Sequence, residues 1–338
     1  MKAFLISGPG GLSDLQIVER PMPTPRRHEV VLRMLAASIN YRDLEICSGT
    51  FHTKFPLPLI PLSDGVGEVV AVGEDVRRVK VGDRVCTAYW ARWVGGGIHM
   101  SEVGTQRGGP IDGSAAEFIS IDEQACVHAP KHLTNLEAAT LPCAAVTAYQ
   151  ALVPEGNLHA GDTVLVQGTG GVSIFALQFA VAAGAKVFVT SSSDEKLAKA
   201  KALGAAACIN YRTTPDWSAP VLDLTDGKGV DQVIEVGGPT TFAQSLKAVR
   251  RGGWIHVVGY LGGNDGLINP LDIFRRQAKV RGSAVGSRET FEAMNRAMEV
   301  NLIHPAVDKV FPWTDLKAAF AHLQSGAHFG KIALHIAD

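Results

Sequence analysis

The chain has 338 residues, of which 46% are hydrophobic and 19% charged, and its formal net charge is −1. This composition is typical of a globular protein with a large core and excludes a disordered chain. Near-neutral charge gives no long-range attraction to nucleic acid or to anionic membranes, so neither is predicted as a partner.

Neither a spanning helix nor a signal peptide is predicted. No uncharged apolar stretch approaches the roughly 18 residues of a spanning helix, and the first apolar run, "AFLI", is too short for a signal-peptide core. The five cysteines are scattered without a CxxC spacing, which favours reduced thiols. A cytoplasmic protein is therefore predicted.

Short β-type runs separated by Gly, Pro and Asp turns dominate the chain up to about residue 130. Segments 28–39 and 65–76 are predicted strands. Segment 90–114 is Gly-rich and polar, and is predicted to be a surface loop in which Trp90 and Trp93 form either an apolar wall or ordinary packing. The first part of the chain is thus predicted to be an all-β domain.

From about residue 140, strands alternate with helices. Runs such as "TVLVQ" and "KVFVT" are continuously apolar, which suits a parallel sheet buried on both faces. The predicted class is α/β with a doubly wound sheet. The predicted strands are 163–167, 186–191, 207–210, 230–236 and 254–259, and the predicted helices are 171–183, 194–203 and 239–249. The tail "FGKIALHI" is predicted to be a strand that pairs back with the first domain, so the division is 1–140, 141–285 and 286–338.

A glycine motif follows the first of these strands and opens a helix. Gly168 permits a tight turn, Gly170 lets a pyrophosphate approach backbone N–H groups at the helix start, and Gly171 opens the helix. Ser173 stands where a third glycine is usual. A serine there adds one small group and should fit with a slight shift. The motif predicts a dinucleotide site.

The end of the second strand carries three serines, Ser191, Ser192 and Ser193, where a carboxylate would accept from a ribose. Hydroxyl groups with Lys196 and Arg212 nearby are what a phosphate monoester needs, although Asp194 partly offsets their charge. NADP is therefore predicted in preference to NAD. The alternative for the serines is a loop or helix cap.

Several segments together resemble the medium-chain dehydrogenase/reductase superfamily: "GVGEVVAVGEDVRRVKVGDRV", "TLPCAAVTAYQAL", "GDTVLVQGTGGVS", "AKALGAAACINY" and "FGKIAL". The resemblance implies a GroES-like β domain with a Rossmann domain, an active site in the cleft between them, and a homodimer that pairs through segment 279–285. The cofactor contacts it implies, with those above, are Cys143, Thr147, Thr169, Val172, Tyr211, Val236, Gly237, Val258, Gly259, Tyr260, Phe329, Gly330 and Lys331.

The superfamily contains zinc-dependent and zinc-free branches, which differ at the ligand positions. Where zinc-dependent members have their first catalytic cysteine, this sequence has Asn40, and Ser63–Asp64 replaces their His-Glu pair. Only Cys143 is retained, and one thiolate with Asp64 does not make the usual three ligands. The cysteines of the structural zinc lobe are also missing between Thr87 and Glu117. No metal is predicted.

Without a metal, the easiest acceptors are quinones and α,β-unsaturated carbonyls, whose delocalised oxyanion needs only hydrogen-bond donors. Segment "SINYRDL" resembles the pocket lining of zinc-free quinone oxidoreductases. The predicted catalytic residues are Asn40, Tyr41, Asp43, Ser63 and Asp64. Asn40 would donate to the oxygen, Tyr41 would donate a proton or shape the wall, and Arg42 would pair with Asp43. The alternatives are a turn Asn, a core Tyr and a surface Arg–Asp pair.

The predicted function is a zinc-independent, NADPH-dependent reductase of quinones or α,β-unsaturated carbonyls that acts on a small molecule. Two alternatives stay open: an NAD(P)-dependent alcohol dehydrogenase or aldehyde reductase on the same scaffold, and a non-catalytic NADPH-binding protein, because a fold does not fix a function.

Overall fold

The computed structural model describes residues 1–8 and 10–338, which form two compact units. Unit 1 combines Met1–Val146 with Gly286–Asp338, and unit 2 is Thr147–Val285. The sequence-based division placed the corresponding boundaries after residues 140 and 285. No helix in the described part of the chain combines the length and apolar character needed to cross a membrane.

The strands in chain order are β1 (Lys2–Ile6), β2 (Leu15–Glu19), β3 (Glu29–Ile39), β4 (Asp64–Val72), β5 (Arg84–Thr87), β6 (Phe118–Asp122), β7 (Cys126–His128), β8 (Thr163–Gln167), β9 (Lys186–Ser191), β10 (Ala207–Asn210), β11 (Val230–Glu235), β12 (Val249–Val257), β13 (Lys279–Gly282), β14 (Val307–Pro312) and β15 (Lys331–His335).

The α-helices are α1 (Tyr41–Ser48), α2 (Asn135–Ala138), α3 (Val146–Gln150), α4 (Gly171–Ala182), α5 (Asp194–Ala202), α6 (Ser218–Asp223), α7 (Pro239–Ala248), α8 (Pro270–Arg276), α9 (Arg288–Asn301) and α10 (Leu316–Gln324). Wider π-helical turns, Leu141–Ala145 and Ala151–Glu155, flank α3. Single 3₁₀ turns occur at Gly11–Ser13, Glu123–Ala125 and Trp313–Asp315.

Unit 1 is built around β3, which pairs antiparallel with β4 on one edge and with β6 and β15 along the other. The register sets Ile332 opposite Ile39, so the predicted return of the tail to the first domain is confirmed. The strand predicted over 65–76 spans Asp64–Val72. Apolar side chains of β3, β4, β6 and β15 form one buried core with α10.

Unit 2 contains a six-stranded parallel sheet in the order β10-β9-β8-β11-β12-β13. Val164, Leu165 and Val166 on β8 are fully buried, as expected for a strand covered on both faces. The doubly wound α/β prediction is confirmed. Its strands β8, β9 and β10 have the predicted bounds.

Two local predictions are wrong. The strand predicted from residue 254 begins at Val249. It pairs with β11 on both sides of Gly252 and Gly253, since Val249 lies opposite Val230 and Trp254 opposite Gln232, with a register irregularity between the two pairs. Segment 90–114 is a surface loop only in part. Trp90, Trp93 and Arg107 are buried, since the loop folds back through a Trp90–Gln106 bridge.

Candidate active site

The side chain of Asp43 stabilises the turn between β3 and α1 by hydrogen bonds. Its Oδ2 accepts from the backbone N–H of Asn40 (2.9 Å), and its Oδ1 accepts from the N–H of Ser63 (3.2 Å) and from Arg42 Nη1 (3.1 Å). The carboxyl is fully buried, and this burial raises its pKa while the Arg42 guanidinium opposes the rise. The predicted Arg42–Asp43 pair is confirmed, as a buried pair.

A second polar cluster surrounds the ammonium group of Lys331. Its Nζ donates to the carbonyl oxygen of Ile39 (2.9 Å), to Asn40 Oδ1 (2.5 Å) and to Asp64 Oδ2 (3.1 Å). Ser38 Oγ also donates to Asp64 Oδ2 (2.7 Å). Asp64 and Ser38 are fully buried and Lys331 nearly so.

The side-chain amide of Asn40 has a fixed orientation in this cluster. Its oxygen faces Lys331, and its Nδ2 donates to Ser63 Oγ (3.2 Å), which itself donates weakly to Asp64 Oδ1 (3.4 Å). Because Lys331 is a donor only, the oxygen rather than the nitrogen must face it. The predicted residues Asn40, Ser63 and Asp64 therefore lie together.

Tyr41 is exposed on the first turn of α1, so the alternative of a core aromatic residue is wrong. Another aromatic side chain here is the half-buried Tyr89, whose ring centroid lies 5.0 Å from the Arg42 guanidinium carbon. Arg42 also donates to the carbonyl oxygens of Arg107 and Gly109, each at 3.0 Å. Tyr89 and Arg107 were not predicted, since neither belongs to a recognisable motif.

Cys143 lies in the π-helical turn Leu141–Ala145 of unit 1. Burial, followed by the nearby Asp64 charge, raises the pKa of its thiol to about 12, against the opposing effects of Lys331 and Arg42. The thiol therefore stays protonated at neutral pH and does not have the thiolate character of a reactive cysteine.

The predicted cofactor residues of unit 2 follow the ends of neighbouring parallel strands. Because such strands end at the same edge of the sheet, these residues share that edge. They are Gly168–Val172 after β8, Ser191–Ser193 at the end of β9, Tyr211 and Arg212 after β10, Val236 and Gly237 after β11, and Val258–Tyr260 after β12. Thr147 lies on α3, and Cys143, Phe329, Gly330 and Lys331 belong to unit 1.

The glycine turn has the geometry that the motif requires. Gly168 has φ +72°, a left-handed conformation that favours glycine, and Gly170 is the N-cap of α4. Ser173 does more than fit: its buried Oγ donates to the carbonyl oxygen of Gln167 (2.7 Å), the last residue of β8. This hydroxyl links helix and strand at the position where a glycine is usual.

A buried carboxylate organises the neighbouring loop. Glu235 Oε1 accepts from the N–H groups of Gly237 (2.8 Å) and Gly238 (3.0 Å) and from Thr241 Oγ1 (2.5 Å). Its Oε2 accepts from Gln167 Nε2 (2.8 Å) and from Ser245 Oγ. Glu235 was not predicted. A carboxylate that directly ends an apolar parallel strand is the signal that could have identified it.

The serines after β9 have mixed roles. Ser193 is the N-cap of α5, where its Oγ accepts from the N–H of Lys196 (3.3 Å), and Ser191 Oγ accepts from the N–H of Ser193 (3.4 Å). The alternative prediction, that these serines cap a loop or helix, is therefore confirmed for Ser193. Lys196 is partly exposed on the first turn of α5, and Arg212 is exposed after β10.

Two sequence families match the chain: "Alcohol dehydrogenase GroES-like domain" over residues 26–131 and "Zinc-binding dehydrogenase" over residues 171–299. A zinc-type alcohol dehydrogenase-like protein of Schizosaccharomyces pombe is 45% identical over 314 residues, 91% of each chain. A crystal structure of a putative alcohol dehydrogenase from Sinorhizobium meliloti is 39% identical, with a TM-score of 0.92 over 99% of this chain and 100% of that one. The human quinone oxidoreductase is 27% identical over 97% of this chain and 94% of its own.

The chain belongs to the medium-chain dehydrogenase/reductase superfamily. Unit 1 contains its GroES-like domain and unit 2 its Rossmann-like parallel sheet. The activity that follows from this membership is that of an oxidoreductase.

Zinc is the metal that this superfamily suggests, and the donor set here does not fit it. Asn40 Oδ1 and Asp64 Oδ2 both accept from the Lys331 ammonium group, a cation that would repel a metal ion. Among residues 1–8 and 10–338, no group of three His, Cys, Asp or Glu side chains is arranged to hold a metal.

Proposed function

We propose that this member of the medium-chain dehydrogenase/reductase superfamily is a zinc-independent reductase that transfers hydride from NADPH to a quinone or an α,β-unsaturated carbonyl compound. The observation that carries the proposal is that Asn40 Oδ1 and Asp64 Oδ2, at positions where zinc-dependent members have metal ligands, both accept from the ammonium group of Lys331. We further propose that it works as a homodimer on a small-molecule substrate.

The chemistry follows from the donors that the chain supplies. Bound NADPH would provide a hydride to the β-carbon of the acceptor, and the electron pair of the double bond would then reach the acceptor oxygen. Asn40 Nδ2 has two N–H groups, of which Ser63 Oγ uses one, and no other described protein atom accepts from it. The second N–H is the proposed donor to that oxygen, and Tyr41, exposed nearby on α1, is the proposed source of the proton.

The preference for NADPH rests on charge and hydrogen-bond donors after β9. Ser191–Ser193, Lys196 and Arg212 offer hydroxyl groups and two cations to a 2′-phosphate. The negative charge of Asp194 opposes phosphate binding at this turn. Its carboxylate accepts from Asn210 Nδ2 (2.8 Å) and is thereby directed toward β10.

The function is tested by following NADPH oxidation by chelator-treated protein with quinones, α,β-unsaturated ketones and aldehydes. Turnover of quinones or unsaturated ketones without metal is the expected result. Activity that returns only with added zinc would contradict the proposal.

The second candidate is an NAD(P)-dependent alcohol dehydrogenase or aldehyde reductase. It is favoured by the names of the Schizosaccharomyces pombe relative and of the Sinorhizobium meliloti structure, which both refer to alcohol dehydrogenases. In the same assay, turnover of aldehydes with none of quinones or unsaturated ketones would select it.

The cofactor preference gives a separate prediction. Lys196→Ala should weaken NADPH binding about tenfold or more and leave NADH binding nearly unchanged, because a charged hydrogen bond to the 2′-phosphate contributes roughly 1.5–3 kcal/mol. Cofactor fluorescence titrations measure both affinities. Lys199→Ala, on the same helix but paired with Glu195 (2.9 Å), is the matched control. Equal losses for the two cofactors would refute the assignment.

A further inference from the structure

We infer that Lys331 is a positioning residue of the active site, which fixes the side-chain amide of Asn40 so that an N–H, and not the carbonyl oxygen, is presented to the acceptor. This inference rests on the proposed function, since it takes Asn40 as the donor to the substrate oxygen. It also gives Lys331 a role that differs from binding the cofactor.

All the donor capacity of Lys331 is used within unit 1. An ammonium group has three N–H donors, and Lys331 directs them to Ile39 O, Asn40 Oδ1 and Asp64 Oδ2. Its side chain is only 3% exposed. A lysine that binds a phosphate instead keeps its ammonium group accessible to the ligand.

The buried carboxylate of Asp64 explains why a cation is needed at this place. Asp64 is fully buried, and a buried charge is costly unless it is paired and hydrogen-bonded. Lys331 supplies the charge at 3.1 Å and Ser38 Oγ a neutral hydrogen bond at 2.7 Å. The pair therefore anchors the ammonium group, which in turn can hold the oxygen of Asn40.

An asparagine side chain can rotate by 180° and exchange its oxygen and nitrogen. At Asn40 the flipped state would direct an NH₂ group at an ammonium group, and donor would face donor. Ser63 Oγ accepts from Nδ2 on the other side and supports the same state. The α1 capping box, in which the Asn40 side chain accepts from the backbone N–H of Asp43, supports the same state. Lys331 adds the charged donor that selects the amide orientation, and the N–H left over lies on the side away from Lys331.

The experiment is a double-mutant cycle of Lys331→Met and Asn40→Ala, measured as kcat and KM with the acceptor that wild-type protein turns over best. Asn40→Ala should lower kcat about 10²-fold, as loss of an oxyanion donor does. Lys331→Met should lower kcat similarly in the wild-type background and less than threefold in the Asn40→Ala background, with NADPH affinity within twofold of wild type. Lys309→Met, an exposed lysine on the neighbouring strand β14, is the matched control.

If the losses in kcat of the two single variants multiply in the double variant, the inference is overturned. It is also overturned if Lys331→Met loses NADPH affinity while its kcat is unchanged. If Lys331→Met does not fold, Asn40→Asp provides the test. It retains the oxygen that faces Lys331 but has no N–H, so kcat should fall as it does for Asn40→Ala, and unchanged kcat would refute the role of Asn40 on which the inference depends.

A readout independent of turnover separates this inference from the proposed function. In protein labelled with ¹⁵N-asparagine, the side-chain NH₂ signals of Asn40 are identified by their loss in Asn40→Ala. They should shift or broaden in Lys331→Met and stay unchanged in Lys309→Met. Unchanged signals in Lys331→Met would overturn the inference whatever the acceptor proves to be, whereas failure of all quinones and unsaturated ketones would overturn only the proposed function.

Discussion

His256 shows how one buried side chain makes the stability of unit 2 depend on pH. The ring is fully buried on β12, stacks on Trp254, and shares a hydrogen bond with Gln232 Oε1 (3.1 Å). Burial, helped by the Arg281 charge, lowers its pKa from 6.5 to about 4. Nδ1 has no hydrogen-bond partner among the described residues, so protonation would place an uncompensated charge in the core.

The sign of the pH effect follows from these values. Between pH 6.5 and 4 the unfolded chain binds a proton at His256 that the folded chain does not, so the free energy of unfolding falls as the pH falls through this window. The expected loss is at most about 3 kcal/mol. Urea unfolding at pH 7 and pH 4.5 should show this loss in wild type and a smaller one in His256→Gln. The same pH dependence in both proteins would contradict the prediction.

The resemblance predicted Asn40, Ser63 and Asp64 to belong to one site, because they stand at ligand positions of recognised motifs, and the structure brings the three side chains together. The sequence could not identify the partner of Asp64. Lys331 is far away in the chain, and only the β15–β3 register, with Ile332 opposite Ile39, brings it to the site. A strand pairing between distant segments cannot be derived from local pattern, and this is why Lys331 was predicted only as a cofactor contact.

At the scale of elements, Glu235 joins β8, β11 and the start of α7. Its two oxygens accept from five donors, including the backbone of Gly237 and Gly238. Glu235→Gln should destabilise unit 2 by roughly 2–4 kcal/mol, because an amide NH₂ would face groups that are donors themselves.

The measurement for Glu235→Gln is a thermal unfolding midpoint together with cofactor affinity. Both should fall, since the glycine turn after β11 loses its acceptor. Glu19→Gln, an exposed change of the same kind on β2, should change neither. A Glu235→Gln protein with the stability of wild type would show that the carboxylate does not hold this loop.

Elements with a strong periodic or continuous apolar pattern were predictable, and those shaped by tertiary contacts were not. The strands β8, β9 and β10 follow directly from their apolar runs. By contrast, the pairing of β12 before Gly252 depends on β11, and the burial of Arg107 depends on a loop that folds back on itself. Composition suggested a surface loop over 90–114, because Gly-rich segments usually form loops.

At the scale of the whole molecule, β13 forms one edge of the sheet in unit 2, and its four residues are exposed. Exposed apolar side chains, including Leu267, Leu271 and Phe274, lie in the segment before it. Because this edge is unpaired among the described residues and lies beside apolar surface, we propose that it pairs with its copy in a second chain across a two-fold axis.

Light scattering at micromolar concentration should give twice the chain mass of 35.9 kDa. Phe274→Glu should shift the mass toward that of a single chain, because a carboxylate would be buried in the interface. Val300→Glu, at an exposed position on α9, should leave the dimer intact. A wild-type protein with the mass of one chain would contradict the prediction.

The way β15 completes the sheet of unit 1 also orders events during synthesis. Unit 2 is one continuous segment, so all its strands have left the ribosome before the chain is finished. Unit 1 cannot complete its sheet at that stage, because residues Ala36–Ile39 of β3 lack their partner strand until Lys331–His335 emerges. The unit that is translated first is therefore completed last, and until that moment its unpaired strand edge is exposed to chaperones and to other nascent chains.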